Sequence, residues 1–461
     1  MNSKYRFLAS NTIIFAIGNV LVKLISFILM PLYTSVLTTT QYGVAELINN
    51  TIEIVLPLAT LCIIEAVYRF LIDKDVKPSV LLVNSLVIVI VGDIFVGIVS
   101  LIGFYIIGYE YSLYFLLLYV TTTFYKLTTQ FARGLGHVKR YVIYGVINSL
   151  LLVGSNVILL VFLDGGIEAY LVSFSIGYGV TGIIALILSK EYKYIKIKSY
   201  DFFKLKEMLQ YSLPNIPNML SWWINSLSDR YIVLWFWGSN LAGLYTAASK
   251  LPAMVNLITS IFQQAWQYSA AIEINSEDNK YFFTNVFRLY SYFSVVICCG
   301  LIMINKVICK ILLQSEFYLC WRFIPLLLLA ATFGCIGTYF GTFYNAIKNN
   351  KMLMVSTMVG AIVNIVINFI LIPIWGAMGA AVATAISYFI VMVVRIVNVR
   401  KIIRIDISIK RLVVQFAILF VSTIVGCFEG KVFTCIKICS FIFILLTDYK
   451  ILIKGIKMLN K

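Results

Sequence analysis

The residues of this chain that could do chemistry are charges set inside long apolar runs. Asp229 and Arg230 interrupt the run Tyr211 to Trp237, and Lys250 interrupts the run that follows the short Gly238-Ser239-Asn240 turn. Lys23 and Glu53 interrupt the first two runs, Asp93 the third, and Arg69 closes the second. A charged side chain at the centre of a hydrocarbon layer costs about 2.5–3.5 kcal/mol on insertion scales, so each is a candidate functional group. Cations in such a setting suit an anionic ligand: arginine grips phosphate with two parallel donors and lysine meets it as a point charge. Carboxylates there neutralise an empty cationic site or bind a coupling ion, H+ or Na+. Arg230 follows Trp223 by two helical turns, on nearly the same face. An aromatic plane beside a guanidinium suits a sugar and a phosphate.

Composition fixes the environment. Hydrophobic residues make up 61% of the 461 residues and charged residues 12%, against about 25% charged in a soluble domain. Runs of about 20 apolar residues recur along the chain, each long enough to cross a bilayer as a helix. We expect an all-α integral membrane protein with about fourteen spans, near 11–36, 43–68, 80–107, 112–131, 141–163, 167–189, 208–236, 241–270, 283–313, 321–346, 352–374, 377–398, 410–427 and 432–452. Helices are required because backbone groups in lipid must pair within the span, and no segment alternates as a barrel strand does. The net charge of +17 does not imply nucleic acid. The basic residues are divided among short loops and fall mostly on one side of the expected spans. That side is then cytoplasmic and holds both termini. The turns 37–42, 238–240 and 375–378 are uncharged and face outward. Tyr105, Tyr109, Tyr111 and Tyr114, with Trp235, Trp237, Trp321 and Trp375, fall at outer ends, where amphipathic rings gather.

Several chemistries are excluded by residue type. The nine cysteines are scattered through apolar spans without metal-ligand spacing, and His137 is the single histidine. No metal and no resident cofactor is expected. The N-terminal run past Lys4 and Arg6 continues to about Val36 without a small-residue cleavage site, and reads as an uncleaved span.

The chain repeats itself. Thr38 to Glu46 aligns with Gly238 to Thr246, and Phe131 to Asn156 aligns without gaps to Phe343 to Asn368. Six spans separate the copies, so equivalent spans point the same way and the pseudo-two-fold lies along the membrane normal. Residues 1–200 form an N-lobe, 201–404 a C-lobe, and 405–461 a helix pair outside the repeat. Two six-helix lobes suit alternating access. Lys23 lies about 15 residues before its outer turn, roughly 22 Å at 1.5 Å per residue, and Glu53 about 12 residues beyond it, so the two are expected to pair. Asp229 and Lys250 sit at matching depths about their shared turn and form a second expected pair. Pro214 and Pro217 open the seventh span as candidate hinges, since proline frees backbone groups and bends a helix.

The segments Asp229-Arg230-Tyr231-Ile232 and Gly243-Leu244-Tyr245-Thr246-Ala247-Ala248-Ser249-Lys250-Leu251-Pro252 resemble the seventh and eighth spans of bacterial oligosaccharide flippases. These are the Wzx-like members of the polysaccharide transport family, in the multidrug/oligosaccharidyl-lipid/polysaccharide exporter superfamily. Pro31-Leu32-Tyr33-Thr34 with Gln41-Tyr42-Gly43-Val44-Ala45-Glu46-Leu47 resembles their first hairpin. Ala66-Val67-Tyr68-Arg69-Phe70 and Ala132-Arg133-Gly134-Leu135-Gly136 resemble two inner segments. The resemblance covers residues 7 to about 400. It implies a flippase in the bacterial inner membrane that moves a polyprenyl-pyrophosphate-linked oligosaccharide outward, for capsule, exopolysaccharide or O-antigen assembly. It assigns the anionic head to Arg69, Arg230 and Lys250; Lys23 joins them on depth. It places a lipid-tail groove at 410–452, and makes a glycan polymerase and glycosyltransferases of the same pathway expected partners. A cation-coupled drug antiporter of the same fold would carry an acidic cavity, whereas the charges here are mixed. A membrane glycan polymerase or acyltransferase would carry a large outer loop or a histidine–carboxylate constellation.

Overall fold

In the computed structural model the described residues are 25, 27–73, 76–274, 279–347, 350–403 and 405–447. They are helical throughout, with no strand among them. The helices are α1 (Met30–Val36), α2 (Thr39–Ala59), α3 (Ile63–Asp73), α4 (Pro78–Ile102), α5 (Ser112–Gly134), α6 (Val138–Asn156), α7 (Gly166–Leu188) and α8 (Phe202–Ser212). They continue as α9 (Asn215–Glu273), α10 (Asn279–Leu312), α11 (Ile324–Ala346), α12 (Asn350–Trp375), α13 (Ala377–Ile402), α14 (Ile409–Gly426) and α15 (Lys431–Thr447). Every expected span coincides with helix where it is described, the first only in its later part and the last only to Thr447. By length and hydropathy eight are long and apolar enough to cross a membrane, or nine if the bent α2–α3 pair is one span. The surface of α4 shows the setting: Ile90, Val91, Ile94, Phe95 and Ile98 are all more than half exposed. In water such a face would drive association; in a bilayer it meets acyl chains.

Local chemistry sets the turns. Thr38 and Gln41 form a reciprocal cap at the start of α2: Gln41 N–H donates to Thr38 Oγ1 at 3.2 Å and Thr38 N–H to Gln41 Oε1 at 3.0 Å, satisfying two donors the helix leaves unpaired. In the repeat's second copy Gly238 stands in place of Thr38. There the chain turns by a positive φ of 81° instead, dividing α9 into two arms at the expected turn. Between α2 and α3 the axis bends by 64°. Pro57 lies in the last turn of α2, and Leu61 and Cys62 take left-handed conformations at φ 51° and 54°. The break falls at Pro57 to Cys62. Pro214 lies in the turn before α9 and Pro217 in its first turn, both at a helix start.

The chain divides into two compact units, Met1–Trp223 and Ile224–Lys461. The boundary lies later than residue 200 because α8 packs on α3 and α4 of the first unit. Buried Asn84 holds that connection, donating to Asp201 O at 2.9 Å and accepting from Asp201 N–H at 3.1 Å. Asp201 in turn caps α8 through Lys204 N–H at 3.1 Å. In the second unit α14 and α15 pack on α10, so the last helix pair belongs with the helices before it.

The connection from α7 to α8 carries an unusual buried acid. Glu191 is fully buried, and neither carboxylate oxygen has a hydrogen-bond partner among the described residues. Burial pushes its carboxyl from 4.5 up to about 9. The folded state therefore holds a proton that the unfolded chain releases, and stability falls as pH rises from about 4.5 toward about 9. Glu191→Gln removes the ionisable group. We expect a melting temperature above wild type at about pH 8 and equal to it at about pH 4, read by thermal unfolding in detergent.

Candidate functional site

Asp229 is the most enclosed acid among the described residues of the second unit, 7% exposed. The kink at Gly238 folds the second arm of α9 back on the first and brings Tyr245 to it. Tyr245 Oη donates to Asp229 Oδ2 at 2.5 Å. Thr384 of α13 lies 3.3 Å from the same oxygen. Its single proton is shared with Ala380 O at 2.9 Å, which leaves Tyr245 the principal donor. Arg230 N–H closes Oδ1 at 2.9 Å. The carboxylate is thus held in a nest of hydroxyls. The expected pairing of Asp229 with Lys250 is not what the packing produces: the groups that act on Asp229 are Arg230, Tyr245 and Thr384. Lys250 is half-buried on the second arm. Arg230 reaches Ser249 Oγ through Nη2 at 3.0 Å, and its buried Nε has no partner among the described residues.

The first unit holds a counterpart that sequence reasoning did not single out. Glu46 of α2, 4% exposed, accepts from Tyr170 Oη of α7 at 2.9 Å and from Tyr42 Oη at 3.2 Å. The Tyr33 ring of α1 packs edge-on against Tyr170 with centroids 5.0 Å apart. The available signal was Tyr42, one turn before Glu46 on the same face. Glu46 aligns with Thr246 in the repeat, so the two tyrosine-bound carboxylates are not repeat-equivalent.

The remaining candidates are placed as follows. Lys23 lies outside the described residues. Glu53 was expected to pair with it; the structure places Lys126 of α5 against Glu53, with Nζ 3.7 Å from Oε1, both sides partly exposed. Asp93 of α4 accepts from Thr123 Oγ1 at 3.2 Å. Arg69 is exposed on α3. Trp223 donates its indole N–H to Asn50 O at 3.2 Å, so its ring edge is tied to α2. Trp321, expected among interfacial aromatics, is 3% exposed and covered by Lys306 at 3.9 Å from its ring centre, whereas Trp235 is 79% exposed. Among the described residues no group of three or more His, Cys, Asp or Glu is arranged to hold a metal.

Arg395 stands near the end of the expected span 377–398. It is 8% exposed and ties three helices of the second unit together. Nε donates to Ser356 Oγ at 3.0 Å, Nη2 to Thr357 Oγ1 at 3.0 Å, both on α12, and Nη1 to Gly337 O of α11 at 3.1 Å. A Cβ at Gly341 would lie 2.9 Å from Nη1, so glycine there admits the guanidinium.

These helices adopt the fold of a known class of membrane transporters. The lipid II flippase MurJ in an inward closed conformation superposes with a TM-score of 0.70 at 14% identity, covering 96% of this chain and 99% of that one. An inward-facing multidrug resistance MATE family transporter of the MOP superfamily gives 0.65 at 15% identity, covering 82% and 94%. A MOP superfamily transporter from Pyrococcus furiosus gives 0.58 at 13% identity, covering 85% and 94%. No curated protein matches in sequence. The chain belongs to the polysaccharide biosynthesis protein family, whose model matches residues 8–267, more than half of its length.

The Arg395 staple makes a direct prediction. Arg395→Ala leaves two hydroxyls and a carbonyl without their charged donor and should cost about 3 kcal/mol, on the scale of hydrogen bonds to charged groups. Arg395→Lys should recover only part of this, since one ammonium cannot replace a planar fork spanning two helices. Unfolding of the purified variants in a denaturing-detergent titration measures both.

Proposed function

We propose that this protein is a flippase for a polyprenyl-pyrophosphate-linked oligosaccharide. It would carry the repeat unit from the cytoplasmic to the outer face of the bacterial inner membrane by alternating access, with both termini cytoplasmic. The observation that carries this reading is the polysaccharide biosynthesis family match on a fold shared with a lipid flippase. The charged residues support it. Arg230 has donor capacity beyond Ser249, and with Lys23, Arg69 and Lys250 it supplies positive charge for a pyrophosphate. Trp223 offers an indole to the sugars. The product serves capsule, exopolysaccharide or O-antigen assembly, beside a polymerase and glycosyltransferases of the same pathway.

Transport against a gradient needs a coupled ion whose binding differs between the two access states. We place H+ or Na+ at Asp229, where a carboxylate, Tyr245 and Thr384 supply oxygen ligands or take a proton. Glu53 and Asp93 balance the cationic residues when no lipid is bound.

Lys23→Ala, Arg230→Ala and Lys250→Ala each remove a charge-assisted contact to the pyrophosphate. Each should lower export of lipid-linked glycan by about 10- to 100-fold, the kinetic equivalent of about 1.5–3 kcal/mol. Surface glycan and cytoplasmic-side lipid-linked intermediate are measured together, at matched expression. Normal export in all three variants overturns the cationic site. Asp229→Asn should leave lipid binding intact and abolish dependence of transport on the ion gradient. A drug antiporter would instead give drug resistance on overexpression with no glycan phenotype.

A further inference from the structure

Several basic residues of the second unit lie where α10 ends and α15 begins. Lys306 and Lys310 lie in the last turns of α10, Arg322 in the short 3-10 segment that follows, and Lys431 and Lys437 on α15. The acids there are Glu316 and Glu429. None of these groups belongs to the transport site argued above.

The seam between α10 and α15 fixes how they meet. Tyr292 Oη of α10 donates to Leu445 O of α15 at 3.1 Å. Further outward, Phe441 covers Gly300, where a Cβ would lie 3.2 Å from its ring. One step further along this antiparallel seam Lys437 of α15 falls at the level of Lys306 of α10, whose charge acts on it. Lys306 is engaged: Nζ lies 3.0 Å from Glu429 Oε1 and 3.9 Å from the Trp321 ring centre. Lys437 is 4% exposed, and no hydrogen bond or ion pair among the described residues reaches it. Lys437, enclosed, thus stands beside the partly exposed Lys306, whose own carboxylate partner is the exposed Glu429. A buried charge without a counter-ion is costly, and a neighbouring like charge adds to the cost. The outer faces running from this end are apolar: Phe428 is 53% exposed and Val432 69%, and farther along α15 Ile442 is 49% exposed. A ligand combining an anionic phosphate with acyl chains meets both features; a free phosphate meets only the first.

We propose that Lys306 and Lys437, with Trp321 beneath, form a binding site for the phosphate of a lipid headgroup at the outer end of α10 and α15. The lipid's chains would follow the exposed faces of α14 and α15, the helix pair to which the family resemblance already assigns a lipid-tail groove. Glu429 competes with the phosphate for Lys306. The chemistry is shared by an anionic membrane lipid and by a polyprenyl pyrophosphate, and the site stands whether or not the protein moves oligosaccharide.

The test uses the full chain, delipidated and offered phosphatidylglycerol, phosphatidylcholine or undecaprenyl pyrophosphate, with retained lipid counted by native mass spectrometry. Wild type should retain phosphatidylglycerol over phosphatidylcholine. Lys306→Gln and Lys437→Met should each reduce that retention about fivefold, the weight of one lysine at an anionic lipid surface. Lys437→Arg should keep it, and Glu429→Gln should raise it. Lys410→Gln, at the start of α14, should leave it unchanged. Stronger retention of undecaprenyl pyrophosphate assigns the site to a polyprenyl carrier; equal or stronger retention of phosphatidylglycerol assigns it to membrane lipid. Unchanged retention in Lys306→Gln and Lys437→Met, or reduced retention in Glu429→Gln, overturns the proposal.

Discussion

The cost of ionised groups in hydrocarbon governs this molecule. A charge placed there must be matched, solvated by polar neighbours, or used. Different charges meet that requirement in different ways. Asp229 and Glu46 take hydroxyl donors, chiefly from tyrosine. Arg395 takes hydroxyls and a backbone carbonyl from two helices. Glu53 takes a lysine. Lys306 takes a carboxylate and an indole face. Arg230 is only partly matched, through Ser249, with one buried donor remaining among the described contacts. Matching of this incomplete kind leaves a donor for a ligand, whereas a fully satisfied residue has nothing left to offer one.

The two tyrosine-bound carboxylates show how a repeated architecture diverges. The repeat aligns Glu46 with Thr246, so the acid on the second helix of one unit has no acid opposite it in the other. The second unit carries its acid on the first arm of α9 instead. Both solutions arrive at the same chemistry: an acid within reach of tyrosine hydroxyls, one from its own hairpin. The turn between the paired helices was solved twice as well, by a capping box at Thr38 and by a positive φ at Gly238. What the units share is the demand for a tight reversal and an enclosed acid, rather than the residues that meet it.

Much of the fold was legible because hydropathy and helix length are local properties. Apolar runs of the right length become helices wherever they stand in lipid, and the described parts of the expected spans did. Residue type also carried the intramembrane acids Asp93 and Asp229, and Arg230 at the second hairpin. The pairings read from depth did not follow. Depth along a helix is fixed at 1.5 Å per residue, but which neighbour a side chain meets depends on rotation and on which helix packs there. Lys126, from the fifth described helix, lies against Glu53; Tyr245 and Thr384, not Lys250, act on Asp229.

By itself, then, the sequence determined a membrane-embedded helical chain, its internal repeat, its family motifs and the charges that hydrocarbon makes conspicuous. Tertiary structure decided which of those charges are enclosed and by what. Arg395 and Lys437 look in sequence like ordinary basic residues near span ends, and Trp321 like an interfacial ring. Packing buries all three, because burial is set by the faces of neighbouring helices and not by a residue's place along its own. The break at Leu61 and Cys62 has the same origin. Pro57 could be read in advance as a point of weakness, but the left-handed conformations beyond it and the 64° bend belong to the packed helices.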